Sequence, residues 1–409
     1  MTLKINSERL WSSLMVMAEI GATPKGGCNR QALTDLDKAG RDLFVSWCKE
    51  IGCELRVDQM GNLFLRQKGA DNNLPPVIIG SHLDSQPTGG RFDGVYGVLA
   101  GLEVLRTLND ANQQTLHPIE VVVWTNEEGA RFSPAMIGSG VWSGEFSIDY
   151  GWQRADKQGA TIKQELERIG YLGETPCAPF PIKAAFELHI EQGPILELIN
   201  KQIGVVKGVQ GMRWYDLVIH GQPVHAGPTP MDQRKDPVKA AAQIIAQLYA
   251  LADEYAPQAR ATFGDINVTP GSRNTVPETL TLTVDLRNPN QGILQQMDQK
   301  FRQISKQVCA ACDVDFEILD EWNSPAVEFD KTCIDAVREA VEETGIAYEE
   351  MFSGAGHDSV YVSRVAPTSM IFVPCEKGIS HNEAENAKPE DIAAGCQVLL
   401  GAVLKLAAE

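Results

Sequence analysis

Hydrophobic and polar positions along the first 200 residues alternate between helical and strand patterns. Helical periodicity runs through residues 10–20, 36–51 and 95–108. Short continuous apolar runs at 77–79 and 119–124 are typical of strands that are covered on both faces. This alternation predicts an α/β domain.

From about Gly211 the pattern changes. Strands are predicted at 214–220, 261–268, 279–286 and 313–319, and helices at 237–252 and 291–311. The resulting order βαββαβ is the ferredoxin-like arrangement. After Asn323 the α/β pattern returns, with a helix at 331–344, a strand at 369–373 and a helix at 389–406. We therefore predict that the smaller domain is inserted into the larger one.

Composition restricts the possible partners. The 409 residues carry 36 Lys and Arg against 54 Asp and Glu, a net charge of −18 that repels nucleic acid and anionic membranes. No apolar stretch approaches the roughly 18 residues of a membrane span, and the amphipathic N-terminus lacks the apolar region of a secretory signal. We expect a cytoplasmic protein that acts on a small molecule, without a membrane or nucleic-acid partner.

Nine cysteines, an odd number, do not predict a disulfide framework in a chain of this length. Cys309 and Cys312 form the one close pair. Half of a zinc site or a redox motif is conceivable there, but no second pair follows, and buried core cysteines are the favoured interpretation.

Histidines and carboxylates follow the apolar runs of the larger domain. His82 and Asp84 end the first run, a glycine-rich turn then presents Asp93, and Glu127 and Glu128 follow the next run. Ligands bind at strand ends in open α/β sheets, and adjacent carboxylates can divide the work between ligand and proton acceptor. Taken alone, each motif is equivocal.

Two further histidines complete the pattern. His189 ends another short apolar run, and His381 follows a strand and a loop. Three histidines and two or three carboxylates at strand ends of one domain predict a metal site. Nitrogen and oxygen ligands without cysteine suit Zn²⁺, Mn²⁺, Co²⁺ or Ni²⁺.

The ordered set resembles the peptidase-M20-type dinuclear amidohydrolases, in particular the N-carbamoyl-L-amino acid hydrolases, β-ureidopropionases and allantoate amidohydrolases. The residues that carry the resemblance are His82-x-Asp84, Asp93-Gly94, Glu127-Glu128, His189-Ile190-Glu191-Gln192-Gly193-Pro194, Ser353-Gly354-Ala355-Gly356-His357-Asp358 and Ser380-His381-Asn382. It covers essentially the whole chain. One departure is Glu383, which stands where the family often has proline and puts the rigidity of that loop in doubt.

The resemblance implies two divalent metal ions per subunit. Asp93 would bridge them, His82 and His189 would complete one site, and Glu128 and His381 the other. Glu127 would be the general base, and Asp84 the hydrogen-bonding partner of His82.

The resemblance also implies the fold, a metallopeptidase-like catalytic domain of residues 1–210 and 325–409 with an inserted lid or dimerisation domain of residues 211–324. His225 would reach the active site of the partner subunit and stabilise the oxyanion there, which makes it a catalytic residue and predicts a homodimer.

An anionic substrate needs a cation of its own, because two dications and the four inner carboxylates formally cancel. Arg287, at the end of a predicted strand, could hold a carboxylate bidentately. By resemblance, the residues that grip the substrate are Gln192, His225, Asn274, Arg287, Gly354, Ala355 and Gly356. His357 is expected to order its loop and not to bind metal.

The leading functional hypothesis is hydrolysis of an N-carbamoyl-L-amino acid to the amino acid, carbon dioxide and ammonia. An allantoate amidohydrolase or a β-ureidopropionase would share the catalytic residues. A dinuclear aminopeptidase or aminoacylase is less favoured, because such relatives more often carry a carboxylate at the position of His189. A non-catalytic metal-binding protein is the remaining alternative.

Overall fold

A computed structural model describes residues 3–408, apart from the side chains of Asp320 and Glu321, and divides into two compact units. Their bounds are Met1–Gly208 with Glu328–Glu409 for the larger unit and Val209–Val327 for the smaller. The predicted boundary after residue 210 lies two residues from the observed one, and the predicted boundary after residue 324 lies three residues from the observed one.

The first segment of the larger unit alternates helices and strands. Its elements are α1 Ser7–Glu19, α2 Asp35–Glu50, β1 Glu54–Val57, β2 Leu63–Gln67, β3 Val77–His82, α3 Val95–Asp110, β4 Ile119–Trp124, α4 Ile137–Trp142, α5 Ile148–Trp152, α6 Ile162–Ile169, β5 Ala184–Ile190, α7 Ile195–Leu198 and β6 Ile203–Val209. The predicted α/β character of this segment is confirmed.

The smaller unit and the return segment follow. The smaller unit contains β7 Gly211–His220, β8 Val224–His225, α8 Pro237–Glu254, β9 Arg260–Thr262, β10 Ile266–Thr269, β11 Thr275–Val276, β12 Thr279–Asn288, α9 Gln291–Ala311 and β13 Asp315–Ser324. The remaining elements are β14 Val327–Glu328, α10 Lys331–Thr344, β15 Tyr348–Ser353, α11 Ser359–Val362, β16 Thr368–Val373 and α12 Pro389–Ala407. Two short 3₁₀ helices lie at Met231–Gln233 and Glu376–Gly378.

The larger unit is built on a nine-stranded sheet in the order β1-β2-β4-β3-β5-β16-β6-β14, with β15 also paired to β6. Its four central strands, β4, β3, β5 and β16, are parallel and buried along their whole length. Because they are parallel, their carboxyl ends meet at the same edge of the sheet. Side chains that follow these strands are therefore brought together.

Helices cover both faces of the central strands. A side chain on Gly101 of α3 would touch Ile79 and Val121, so α3 packs closely on that face. The neighbouring residues Ile78 and Val122 point the other way, into a cluster with residues of α4 and α11. Burial on two faces explains why these strands are continuous apolar runs in the sequence.

The smaller unit has an antiparallel sheet in the order β10-β12-β7-β13, with β9 also paired to β12. Along β12 every second residue is buried, against a core that includes α8 and α9. The strand predicted at 261–268 is wrong as a single element, since Phe263, Gly264 and Asp265 separate β9 from β10. The Asp265 amide is bound there by the Thr283 hydroxyl at 2.9 Å, outside the strand ladder.

All nine cysteines are free thiols, and Cys309 and Cys312 are buried in the core of the smaller unit, so the core interpretation is confirmed. Within residues 3–408 no helix combines the length and the apolar character that a membrane crossing requires.

Candidate metal centre

The candidate site lies at the carboxyl edge of the parallel strands. His82 is the last residue of β3, His189 is the last but one of β5, and Glu127 and Glu128 follow β4 by three and four residues. Asp93 lies just before α3, a helix whose N-cap is Gly94 and which therefore has no side-chain cap. Its carboxylate is therefore near the positive end of the α3 dipole and is not used for capping.

His82, Asp93 and His189 form the first set of potential ligands, which we call the buried group. Asp93 Oδ1 lies 3.6 Å from His82 Nε2 and 3.2 Å from His189 Nε2. The Nδ1 atoms of the two imidazoles lie 2.9 Å from the backbone carbonyls of Asp84 and Ile190. Such contacts set the ring orientation and direct both Nε2 atoms inward.

Gly94 is required beside this group. Its φ is +68°, and a Cβ on it would lie 2.3 Å from the His82 ring. Any larger residue would strain the backbone and displace the imidazole.

Asp93, Glu128 and His381 form the second set, the half-exposed group. His381 Nε2 lies 3.2 Å from Glu128 Oε2 and 3.5 Å from Asp93 Oδ2, and half of the His381 side chain is exposed. Gln86 donates its side-chain amide to Glu128 Oε2 at 2.9 Å and its backbone N–H to Oε1 at 3.2 Å. Asp93 thus faces one group with each of its two oxygens.

Asp84 differs from its predicted role. Its carboxylate accepts the backbone N–H groups of Glu127 and Glu128, each at 3.2 Å, while the nearest carboxylate oxygen is 3.9 Å from His82 Nδ1. The predicted hydrogen bond from His82 to this side chain is replaced by one to the Asp84 backbone carbonyl. Residues two apart share a face only within a strand, and β3 ends at His82, so Asp84 lies outside it.

Glu127 is buried against the same cluster, with Oε2 3.5 Å from His82 Nε2. The preceding Asn126 has a φ of +56°, which turns the chain sharply after β4. Its side chain donates to the carbonyl of Phe132 at 2.8 Å, which holds the turn in place. Backbone strain of this kind is concentrated at functional sites.

The electrostatics of the cluster favour positive charge. Burial alone lowers the pKa of the His82 imidazole, but Glu127 and Asp93 outweigh it and raise that pKa well above its ordinary value. A hydrogen bond to Glu128 raises the pKa of His381 to about 9. Burial raises the pKa of the Glu127 carboxyl well above its usual range, which two bound dications would oppose.

The donor set therefore fits divalent cations. In each group the potential ligand atoms all lie within 4.8 Å of one another, and they are the nitrogens and oxygens that Zn²⁺ and Mn²⁺ accept. The structure brings together all five residues predicted as ligands.

Gln192, predicted to bind substrate, lies beside the shared carboxylate. Its side-chain amide donates to Asp93 Oδ2 at 2.8 Å, and its backbone φ is +56°. The preceding Glu191 accepts the backbone N–H groups of Ile195 and Leu196 at 2.7 and 2.8 Å, which ties this turn to the start of α7. Burial raises the pKa of Glu191 to about 7.

The loop of Gly354, Ala355 and Gly356 is held by Ser353, whose hydroxyl accepts the Ala355 N–H at 3.1 Å and donates to the Ala355 carbonyl at 3.0 Å. A Cβ on Gly356 would lie 3.2 Å from the Met136 side chain. The loop is therefore closely packed on the segment that follows Glu128.

His357 lies next to the buried group, with its ring 4.7 Å from the His189 ring. Its Nε2 is 2.9 Å from the Ser353 hydroxyl, and burial lowers its pKa well below the ordinary value. Glu187, His189 and His357 form a further set of possible ligand atoms. The Glu187 carboxylate, however, already accepts two serine hydroxyls and one backbone N–H, in keeping with a structural role for His357.

Three predicted substrate residues belong to the smaller unit. His225 pairs with Thr275 in the two-stranded sheet of β8 and β11, and Asn274 directly precedes that strand. Arg287 lies near the end of β12 and makes an ion pair with Asp285 at 2.7 Å. All three residues therefore belong to the smaller unit, and Arg287 is ion-paired with Asp285 there.

Sequence reasoning gave no role to Gln86 or Glu385. Glu385 is buried and accepts the backbone N–H groups of Phe92 and Asp93 at 2.9 and 3.1 Å. Its position four residues after the predicted ligand His381 was the available signal.

The model of the Peptidase family M20/M25/M40 matches residues 78–405, and the chain belongs to this family. The N-carbamoyl-L-amino-acid amidohydrolase of Rhizobium meliloti is 47% identical over 404 residues, which cover 99% of this chain and 97% of that protein.

Two further comparisons bear on the branch of the family. A crystal structure from Burkholderia multivorans, described as an amidase of the hydantoinase/carbamoylase family, has 53% identity and a TM-score of 0.98, with 100% of both chains covered. The allantoate amidohydrolase of Bacillus subtilis is 32% identical over 393 residues, 96% of this chain and 95% of that protein.

Proposed function

We propose that the chain hydrolyses N-carbamoyl-L-amino acids to the amino acid, carbon dioxide and ammonia, with two divalent metal ions bound per subunit. The observation that carries hydrolysis is the position of Asp93, whose two oxygens each face one ligand group. The choice of substrate rests on the 47% identical relative named for it.

The two metals would be held by the buried group and by the half-exposed group, with Asp93 common to both. Cations in such a pair act as Lewis acids on a carbonyl and make water more acidic. We include the metal number in the proposal because three imidazoles and the Glu128 carboxylate converge on the Asp93 carboxylate.

Glu127 is proposed as the general base. It lies within the cluster but belongs to neither ligand group, and its backbone N–H is held by Asp84. A buried carboxylate at this position can take a proton from the attacking water and return it to the departing amine. Glu128, one residue on, is engaged by Gln86 and His381 and is the ligand of the pair.

Substrate binding is proposed to involve Gln192 and the loop of Gly354, Ala355 and Gly356 in the larger unit. Arg287, Asn274 and His225 would contribute from the smaller unit, Arg287 by binding the substrate carboxylate bidentately. The strand order of the smaller unit supports a ferredoxin-like fold. We propose that this unit serves as a lid and dimerisation domain. A homodimer in the cytoplasm is part of this proposal.

The main test is ammonia and amine release by the Mn²⁺-loaded protein from N-carbamoyl-L-amino acids, their D-enantiomers, N-carbamoyl-β-alanine and allantoate. The Glu127→Gln variant, purified identically, controls for contaminating hydrolases. Preference for L-α-carbamoyl acids is expected. Turnover of allantoate alone would favour the alternative activity of the 32% identical relative, and release of β-alanine would indicate a ureidopropionase.

The dimer is tested by mixing two inactive variants, His225→Ala and Glu127→Gln. If His225 acts in the partner's site, a mixed dimer contains one site with both residues intact, and part of the activity returns on mixing. The two variants carry different affinity tags, so that exchanged dimers are recognised by purification on both tags in succession. Exchanged dimers that remain inactive would contradict that role.

A further inference from the structure

The buried residue Glu385 lies directly behind Asp93, the carboxylate common to the two ligand groups. One oxygen, Oε1, accepts the backbone N–H groups of Phe92 and Asp93 at 2.9 and 3.1 Å. These partners are separated from Glu385 by more than 290 residues in sequence. The contact therefore joins two loops that reach the site from opposite ends of the chain.

The fit between these loops is tight. A Cβ on Gly90 would lie 2.0 Å from the carboxylate carbon of Glu385, so only glycine lets the turn before Asp93 rest on this side chain. On the other side, Glu383 packs against Gly27 and makes an ion pair with Lys25 at 3.5 Å. The loop of residues 381–385 is thus packed from both sides, although it lacks the proline of the family.

Ser380 extends the contact to the side chain of Asp93. Its hydroxyl donates to Asp93 Oδ2 at 2.7 Å and lies 3.1 Å from Glu385 Oε2. The next residue, His381, has a φ of +53°, a strained value that surrounding contacts must maintain. Glu385 therefore contacts the backbone of the shared ligand and the serine that precedes the exposed ligand.

We propose that Glu385 is a positioning residue for the metal centre, which holds Asp93 and the turn of His381 in register so that the half-exposed group can bind its cation. It acts through hydrogen-bond geometry, since Oε1 serves the two amides and Oε2 meets Ser380. This inference rests on the proposed two-metal site and deepens it.

If Glu385 acts through its hydrogen bonds, substitution by glutamine and substitution by alanine should have different effects. In Glu385→Gln the amide oxygen can still accept both backbone N–H groups, and the NH₂ can donate to Ser380, whose own proton remains on Asp93. In Glu385→Ala both amides are left buried without an acceptor. Loss of the groups that orient metal ligands weakens metal affinity by about 10–100-fold.

The experiment is equilibrium dialysis of metal-free protein against Mn²⁺, with the bound metal counted per chain. Glu385→Ala is expected to weaken the weaker of the two Mn²⁺ sites by about 10–100-fold, and Glu385→Gln to retain affinity near that of the wild type. Ser380→Ala, which leaves the two amides paired, is a second variant in case Glu385→Ala does not fold. It is expected to weaken the same site.

Glu103→Ala is the matched control. Glu103 is also a buried glutamate that accepts a backbone N–H, from Asn6 at 2.9 Å, but it pairs with Arg9 between α1 and α3. This variant should lower the melting temperature and leave both Mn²⁺ affinities unchanged.

Three outcomes would overturn the inference. These are unchanged Mn²⁺ binding in folded Glu385→Ala, an equal loss in Glu385→Gln, or an equal loss in Glu103→Ala. If the wild-type chain binds two Mn²⁺, any of these outcomes contradicts only the role of Glu385 and not the proposed function. A wild-type chain that binds no Mn²⁺ would contradict both the role of Glu385 and the proposed function.

Discussion

The buried group and the half-exposed group share Asp93 but are built differently. His82 and His189 are 1% exposed and lie at strand ends, where backbone carbonyls fix their rings. His381 is half exposed and lies in a turn with positive φ, held by contacts from distant parts of the chain. Rigid strands thus define one group, and packed loops define the other.

The difference bears on metal binding. A preorganised, desolvated set of ligands loses little freedom when a cation binds, whereas a loop ligand must be ordered by its surroundings. We expect the buried group to bind its metal more tightly and to release it more slowly to a chelator.

The largest expected effect is a loss of catalysis in a variant that keeps both metal-binding groups intact. Glu127→Gln removes the proposed proton acceptor but keeps the size of the side chain, so kcat should fall by about 10²–10⁴-fold. Metal analysis of the same sample should still find two ions per chain. An active variant with full metal content would remove Glu127 from its role.

Gly94→Ala tests the packing of the buried group. The new Cβ adds left-handed strain of about 1–2 kcal/mol and overpacking of about 1–3 kcal/mol against His82. Gly345→Ala is the matched control, because its φ is +69° and its Cβ would touch nothing within 4 Å. Urea unfolding of the metal-free proteins should show a clearly larger loss for Gly94→Ala, and equal losses would contradict the tight fit.

Metal addition should stabilise the chain through both groups. A site exposed to cation at 100 times its dissociation constant contributes about 2.7 kcal/mol to the free energy of unfolding. His381→Ala should keep the contribution of the buried group and lose the other, whereas His189→Ala should lose the larger share. Thermal melts with increasing Mn²⁺ would reveal this order, and the reverse order would refute the comparison.

The smallest effect concerns Gln86, which contacts Glu128 of the half-exposed group with its backbone and side-chain amides. Gln86→Ala should weaken one Mn²⁺ site by about 10-fold and leave the other unchanged. Equilibrium dialysis distinguishes the two sites, and equal weakening of both would show that the groups are not separable.

Much of this arrangement was predictable from local patterns. Apolar runs marked the parallel strands, and His82, His189 and the pair Glu127-Glu128 follow from their strand ends. Parallel strands place such residues at one edge whatever the rest of the chain does. The single strand predicted at 261–268 was wrong because residues 263–265 interrupt the strand without removing the apolar pattern.

The sequence by itself determined the α/β framework, the inserted unit and the residue types available at the sheet edge, because each is encoded by neighbouring residues. Only the tertiary structure decided that Asp84 binds two backbone amides and that Glu385 supports Asp93. Such bonds join groups that are far apart in sequence, and a single side-chain oxygen leaves no periodic signal. Which amides these carboxylates bind depends on how the loops pack against one another in the folded chain.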